Sequence, residues 1–458
     1  MPRSLLLLLL AAPAGAADLV IDAGRPGPPL RRLHGVNGGP LVQGGTLDLS
    51  AHWKALAPPL ARLHDCHWPN PDVVDLHVVF PDPAADPDRP ENYDFARTDE
   101  FVKAVHDTGA GIVFRLGESI EHFKIRKYVH PPKDPARWAA ACVGVIRHYT
   151  EGWANGFKYH IRYWEIWNEP DNCPAMWSGS DGDYFKLYSL TAKAIKARFP
   201  KLLVGGPGLG NTGDLTGETL APSPFFGKFL AHCREDRAPL DFFSWHCYTN
   251  DPGEYPRRAR AVRKLLDAGG FPKAESHLNE WNYLPDNDWH GLLSKDSKKR
   301  RAWSERVGSA EGAAFAAAGL LRMQDGPIDV ANYFSAEPSG MGLFDEYGLP
   351  KKTFHALAAV GRLSGQQLPV RHVTDGTACV AALTKDEVVV VLSRTTGRGP
   401  SGVAVENLPW PRTRFTVEEV SAARDFEEVS GGSDVGDVRV ELEGAGPSVW
   451  AIRLRAVK

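Results

Sequence analysis

From residue 33 to about 335 the chain alternates two patterns of apolar and polar positions. Short runs rich in β-branched and aromatic residues read as strands, and longer stretches with apolar residues at spacings of three and four read as amphipathic helices. The candidate strands are LHGVN (33–37), ARLH (61–64), GIVFRLG (111–117), RYWEIWNE (162–169), LLVGG (202–206), DFFSWHCY (241–248), SHLNEWN (276–282) and IDVANYFSA (328–336). Between them, DEFVKAVHDTGA, with Gly109 suited to a C-terminal cap, ARWAAACVGVIRHY, DYFKLYSLTAKAIKARF and SAEGAAFAAAGLLRMQ read as helices. Eight strands alternating with helices over roughly 300 residues predict an α/β chain whose main body, 33–365, is a (β/α)8 TIM barrel. An open doubly wound sheet is the competitor. It more often carries a Gly-rich phosphate loop after an early strand, whereas GGPGLGNTG from Gly205 follows the fifth strand and lacks the Lys-Ser/Thr of a P-loop.

Past GLPKKTFHALAAVGRL, which reads as a last helix, the period changes to two. TACVAALT, EVVVVLS, RFTVEEVS, VRVELEG and SVWAIRLR are short strands separated by Gly, Pro and Asp, the pattern of an antiparallel β-sandwich over 366–458. The segment 18–32, with DLVIDAG, is expected to add a strand to the same sandwich. Before it, MPRSLLLLLLAAPAGAA has a basic Arg3, a short apolar run from Leu5 and small residues at Ala14 and Ala16, so 1–17 reads as a secretory signal peptide too short to span a bilayer. The expected location is secreted or periplasmic.

The net charge of −3 over 458 residues shows no bias towards nucleic acid or acidic membranes, and neither is expected as a partner. The basic run KDSKKRRAW from Lys295 reads as a solvated loop cluster. Six cysteines, Cys66, Cys142, Cys173, Cys233, Cys247 and Cys379, lie far apart without a C-x-x-C pair, which leaves a zinc site without support and makes most of them small buried hydrophobes.

In such a barrel the chemistry sits at the C-terminal ends of the strands. Glu169 in WNEPD and Glu280 in HLNEWNY both end strands, the fourth and the seventh. Opposed strands of a closed barrel can aim both into one cleft, and glycosidic cleavage needs such a pair: an acid for the leaving oxygen and a carboxylate facing the anomeric carbon. Glu165, earlier in the same strand as Glu169, reads instead as a partnered charge of the barrel interior. Glu118 and Glu337 end strands as well, without an assigned role.

WEIWNEPD followed by LNEWN resembles the retaining glycosidases of the (β/α)8 clan A. Further stretches resemble glycoside hydrolase family 39, the family of β-xylosidases and α-L-iduronidases: RLHDCHW, YDFARTDEFVKAVHDTG, VGGPG with FLAHCRE, LDFFSWHCY, and GLFDEYGLPKKTFHALAAVGRL. The resemblance covers most of 33–365 and weakens in the sandwich. It implies Glu169 as general acid/base with a raised pKa, Glu280 as nucleophile, and Asn168 as the partner of the sugar 2-hydroxyl. It further implies Arg62 and Tyr248 as holders of the nucleophile's carboxylate, and His64 and His246 as contacts to sugar hydroxyls. Trp281, Trp177 and Trp68 are candidate apolar walls against the sugar. No metal and no organic cofactor is expected, since two carboxylates and water complete the chemistry.

Departures from the family bear on the sugar. Cys247 and Tyr248 follow the sixth-strand His where iduronidases have a basic residue, which favours a neutral sugar such as β-xylose. RLGES ends the third strand where the family commonly has Glu-Leu-Gly, and FSAEPSG ends the eighth where it often has Phe-Ser-Asp. The rival readings are another glycoside (an α-L-arabinopyranoside, a uronide, or endo attack on an exopolysaccharide) and a carbohydrate-binding protein without turnover. The oligomeric state stays open.

Overall fold

The structure, a computed structural model, describes residues 19–66, 73–396, 402–444 and 446–457. The expected signal peptide 1–17 and Trp68 lie outside the described residues. Eight parallel strands close into a barrel: β1 (Gly35–Asn37), β2 (Leu60–Leu63), β3 (Gly111–Leu116), β4 (Tyr163–Ile166), β5 (Leu203–Leu209), β6 (Phe242–Thr249), β7 (Glu275–Tyr283) and β8 (Val330–Tyr333). Each pairs in parallel with its sequence neighbours, and β8 closes on β1. The helical layer begins where the sequence supplies caps. Asp134 accepts the amides of Ala136 and Arg137 ahead of the helix Pro135–Thr150, with Pro135 at the position that needs no donor. Ser180 and Asp183 form a capping box on Asp181–Arg198. The basic run does not form a loop: Asp296 caps it as the helix Ser297–Gly308, whose Lys298, Lys299, Arg300 and Arg301 are exposed.

The C-terminal part packs two sheets. One has six strands, ordered Gln366–Leu368, Thr377–Leu383, Glu387–Arg394, Ser448–Ala456, Arg412–Val420 and Asp425–Val435, all antiparallel. In the four-stranded sheet Leu19–Asp22 lies antiparallel to Val370–Arg371 but parallel to Gly402–Glu406, so this sheet is mixed rather than purely antiparallel. The unbroken apolar run Val388–Leu392 follows from burial on both faces. Val388, Val390 and Leu392 face the sandwich core, whereas Val389 and Val391 belong to the core shared with the barrel. There they meet the helix Ala310–Met323, which is apolar nearly all round because it is covered on both sides. Among the described residues no helix is long and apolar enough to cross a membrane.

Candidate active site

Two backbone devices aim the carboxylates. β4 ends at Ile166, and Trp167 and Glu169 then adopt left-handed φ values of 70° and 42°. Such conformations cost a non-glycine residue on the order of 1 kcal/mol. They are held by Trp167 N–H donating to the Leu116 carbonyl (2.7 Å) and Glu169 N–H to the Gly208 carbonyl (2.9 Å). In β7 the register against β6 shifts between Leu278 and Glu280, a bulge at Asn279. The extra residue lets Asn279 and Glu280 both face the barrel interior, where Asn279 donates to Glu165 and Glu280 accepts from Arg62.

Arg62 is the hub. Fully buried, it donates to Glu165 (Nε, 2.6 Å), to Asn37 Oδ1 (Nη1, 3.1 Å), to Glu280 Oε1 (Nη1, 2.8 Å) and to Asn168 Oδ1 (Nη2, 2.6 Å). Glu165 also accepts from Ser244, so it is a paired interior charge. The second oxygen of Glu280 accepts from Tyr248 OH at 2.7 Å. Burial, then the Glu280 charge, push the Tyr248 phenol well above its ordinary value, which keeps it a donor. His64 is held neutral by burial first and then by Arg62 and Arg115. Its Nδ1 accepts from Arg115 Nε (3.2 Å), so its proton sits on Nε2, 3.6 Å from Glu280 Oε1.

Glu169 accepts from His246 Nδ1 (2.8 Å) and from Asn172 Nδ2 (2.9 Å). Burial pushes the Glu169 carboxyl up, but the His246 hydrogen bond and charge, then Asn172 and Arg62, outweigh it and hold the carboxyl below its usual range. The same cluster acts on His246 in reverse: burial lowers it, Glu280 and Glu169 raise it, and the net is a raised imidazole. In the open cavity the proton of this pair therefore rests on His246. That corrects the expected raised pKa of Glu169, whose partner lies 77 residues further along the chain. A carboxylate oxygen of Glu169 and one of Glu280 lie within 4.8 Å of each other.

Both carboxylates line a cavity of about 680 Å3 at the C-terminal ends of the strands, together with His64, Asn168 and Tyr248. Asp65 and Asp171 line it too and had no signal in the sequence beyond being polar residues after a strand. Asp65 has a left-handed φ of 49° that turns it back into the cavity, and burial with the nearby Glu280 charge pushes its carboxyl up to about 7. Asp171 accepts the amides of Gly210 and Asn211, tying the loop after β4 to the segment after β5. Burial and Glu169 push it up to about 6. Among the described residues no Lys or Arg lines the cavity.

Two of the expected aromatic walls are elsewhere. Trp281 follows the inward Glu280, so it points outward and packs edge-on to Tyr333 of β8 and to Tyr255 on the helix Glu254–Ala268. Trp177 is buried against Trp167 and Tyr184, with Nε1 donating to the Ser180 carbonyl. Glu118 and Glu337 do not line the cavity; Glu118 meets His77, and Glu337 accepts the Gly39 amide. Two groups, Asp75–His77–Glu118 and Glu169–His246–Glu280, bring three donor atoms within 4.8 Å of one another. In both, protein donors already engage the oxygens: Arg115 on Asp75, and Arg62 and Tyr248 on Glu280.

The model of the glycosyl hydrolases family 39 matches residues 74–393. The chain belongs to family 39. A β-xylosidase of Geobacillus stearothermophilus is 30% identical over 287 residues, 58% of this family 39 chain and 53% of that protein. The chain thus spans about half the length of the curated relatives it matches. Among solved structures, a glucosidase from Croceicoccus marinus superposes with a TM-score of 0.80 at 26% identity, covering 96% of this chain and 99% of that one. A monomeric β-xylosidase from Caulobacter crescentus CB15 shares the fold at 19% identity and a TM-score of 0.71, again over 96% and 99%.

Proposed function

We propose that this family 39 chain is a retaining glycoside hydrolase acting on a neutral-sugar β-glycoside, with Glu280 as nucleophile and Glu169 as general acid/base. The observation that carries this reading is the carboxylate separation. One oxygen of each carboxylate within 4.8 Å of the other supports the close spacing of retaining enzymes, roughly 5–5.5 Å, over the roughly 6.5–9.5 Å at which inverting enzymes hold a water. In the first step a Glu280 oxygen bonds to the anomeric carbon as the bond to the leaving oxygen breaks, and that oxygen takes the proton of Glu169. In the second a water attacks the same carbon, Glu169 takes its proton, and the Glu280 ester bond breaks to regenerate the carboxylate.

Arg62 and Tyr248 hold the two oxygens of Glu280 and aim it, and Asn168, fixed by Arg62, offers its amide to the 2-hydroxyl. His246 supplies the proton that Glu169 needs. When a sugar fills the cavity and displaces water, the charged His246–Glu169 pair loses solvation and reverts to neutral imidazole and carboxylic acid. Acidic groups without a lining cation among the described residues argue for an uncharged glycone, since a uronate carboxylate would meet Asp65, Glu169 and Glu280 unpaired. The β-xylosidase relative favours xylose, and the glucosidase neighbour makes a β-glucoside the second candidate. The leader pattern around Leu5 supports a secreted or periplasmic site of action.

The test is hydrolysis of aryl β-D-xyloside, β-D-glucoside, β-D-galactoside, α-L-arabinopyranoside and α-L-iduronide by the wild type and by Glu280→Ala. Turnover of a neutral glycoside that the variant loses, with the anomeric configuration retained in the first-formed product, is the expected result. An inverted product, or turnover undiminished in Glu280→Ala, sinks the assignment.

A further inference from the structure

The cavity has two unlike halves. Its floor carries the polar groups described above. Its mouth is built from Met176, Trp289, Leu292, Leu293, Phe334 and Met341. Leu293 is 74% exposed and Trp289 37%, so the outer part of this surface faces solvent, while Met176 (0%) and Met341 (8%) form its buried back wall. Trp289 joins the halves: its ring meets Tyr248 edge-on with centroids 5.0 Å apart, and the Tyr248 hydroxyl bonds Glu280. Behind it Trp303 lies at 6.5 Å, nearly parallel, with Nε1 donating to the Asp288 carbonyl, so the platform is braced. Across the opening, Ile120 lines the same cavity, and further along its segment Phe123 (80%) and Ile125 (78%) are exposed.

We propose that this mouth is a leaving-group site for an apolar alcohol, an alkyl, aryl or polycyclic aglycone, rather than for a second sugar. The inference rests on the glycosidase reading. A cavity of about 680 Å3 lies within the range of sites for drug-sized ligands, with room beyond one sugar ring. A second sugar lying against Leu292, Leu293 and Met341 would set the hydroxyls of that face against side chains with no hydrogen-bonding partner. Beyond the polar floor, only the exposed His122, Asn172 and Asn211 on the described lining could bond the rest, and desolvating hydroxyls without replacement bonds is unfavourable. An apolar group covers the same side chains favourably, and unbranched methionines adjust to varied shapes. The absence of a lining Lys or Arg among the described residues likewise gives no cation to hold an anionic leaving group.

Calorimetric titration of Glu280→Gln with methyl, butyl and octyl β-D-xylosides and β-D-glucosides, and with xylobiose and cellobiose, tests the proposal without turnover. Affinity is expected to rise with chain length, by up to about three- to fourfold per buried methylene, with an increasingly negative heat-capacity change. Leu293→Ser in the same background, at a solvent-exposed position that folding tolerates, should lower the octyl-to-methyl affinity ratio about threefold or more. Octyl glycosides that bind no more tightly than methyl ones, fail to bind, or bind more weakly than the disaccharides overturn it. Aryl-glycoside turnover by the wild type separates the two claims. A silent panel beside a steep alkyl series refutes the glycosidase reading and not the apolar site, whereas turnover beside a flat series refutes only the site.

Discussion

Around the carboxylate pair the barrel buries Arg62, Arg115, Asp75, Glu165 and Glu280, each no more than 5% exposed. The sandwich fills its interior with Leu19, Ile21, Val388, Val390, Ile452 and Leu454, all fully buried. Its one buried cation among the described residues, Arg394, sits over the Trp450 ring and donates to the carbonyls of Gly444 and Gly446. Burying an ion pair gains little stability over well-packed apolar groups of the same volume, because desolvation offsets the attraction. The barrel's charged network, with left-handed Trp167 and Glu169 above it, is therefore an arrangement for holding Glu280 and Asn168 in place. Stability has to come from the aliphatic layers, and the two regions should respond to substitution in different ways.

The largest effect is expected at the hub. Arg62→Met keeps an unbranched side chain of similar length but leaves Glu165 and Glu280 without their shared cation. Breaking a buried pair from one side costs about 3–5 kcal/mol. Turnover per folded molecule should also fall by at least about 100-fold, because Glu280 and Asn168 lose the group that aims them. Urea denaturation and kcat measured on the same preparation check both. Ile452→Ala in the sandwich is the matched counterpart: a cavity there costs about 2–5 kcal/mol and should leave kcat unchanged. If Arg62→Met lost stability but kept its kcat, or Ile452→Ala lost kcat at full folding, the contrast between the two regions would collapse.

The barrel was legible because its strands are short apolar runs, each followed by a stretch of helical period, in places with a capping residue such as Asp134 or Ser180. The strand ends then place Glu169 and Glu280 at one rim. What local pattern could not carry is whatever depends on distant partners or on single backbone irregularities. The bulge at Asn279 decides that Glu280 faces in and Trp281 faces out, and without it the strand period assigns those positions differently. The parallel pairing of Leu19–Asp22 with Gly402–Glu406 joins segments from opposite ends of the chain. His246 reverses the expected shift of Glu169 from a strand two places round the barrel. The apolar mouth at Trp289, Leu292 and Leu293 lies on a segment with no strand or helix period long enough to read.

Asp65 offers a finer way to sharpen the comparison, because its carboxyl has the neutral His64 Nε2 at 3.4 Å where Glu165 has the Arg62 cation, and the sandwich core buries no carboxylate among the described residues. It accepts the Ile120 amide at 3.2 Å and faces the Glu280 charge, and burial with that charge raises it from 3.8 to about 7. Folding then takes up a proton between those values. The native state binds more protons than the unfolded chain, so stability is present below 3.8 and lost as pH rises towards 7. Asp65→Asn removes that slope. Relative to the wild type, the variant should gain stability as pH rises from about 4 to about 7 and hold a constant advantage above it. The full separation corresponds to about 4 kcal/mol. The side chain is 17% exposed, so solvent screening reduces the expected gain to about 1–2 kcal/mol. Paired urea titrations at pH 5 and pH 8 measure it. An advantage equal at both pH values would mean that Asp65 ionises normally and that the floor of the cavity is wetter than its contacts imply. An advantage clearly larger at pH 8 than at pH 5 would mean that this carboxyl beside the nucleophile takes up a proton on folding and gives it up only near pH 7.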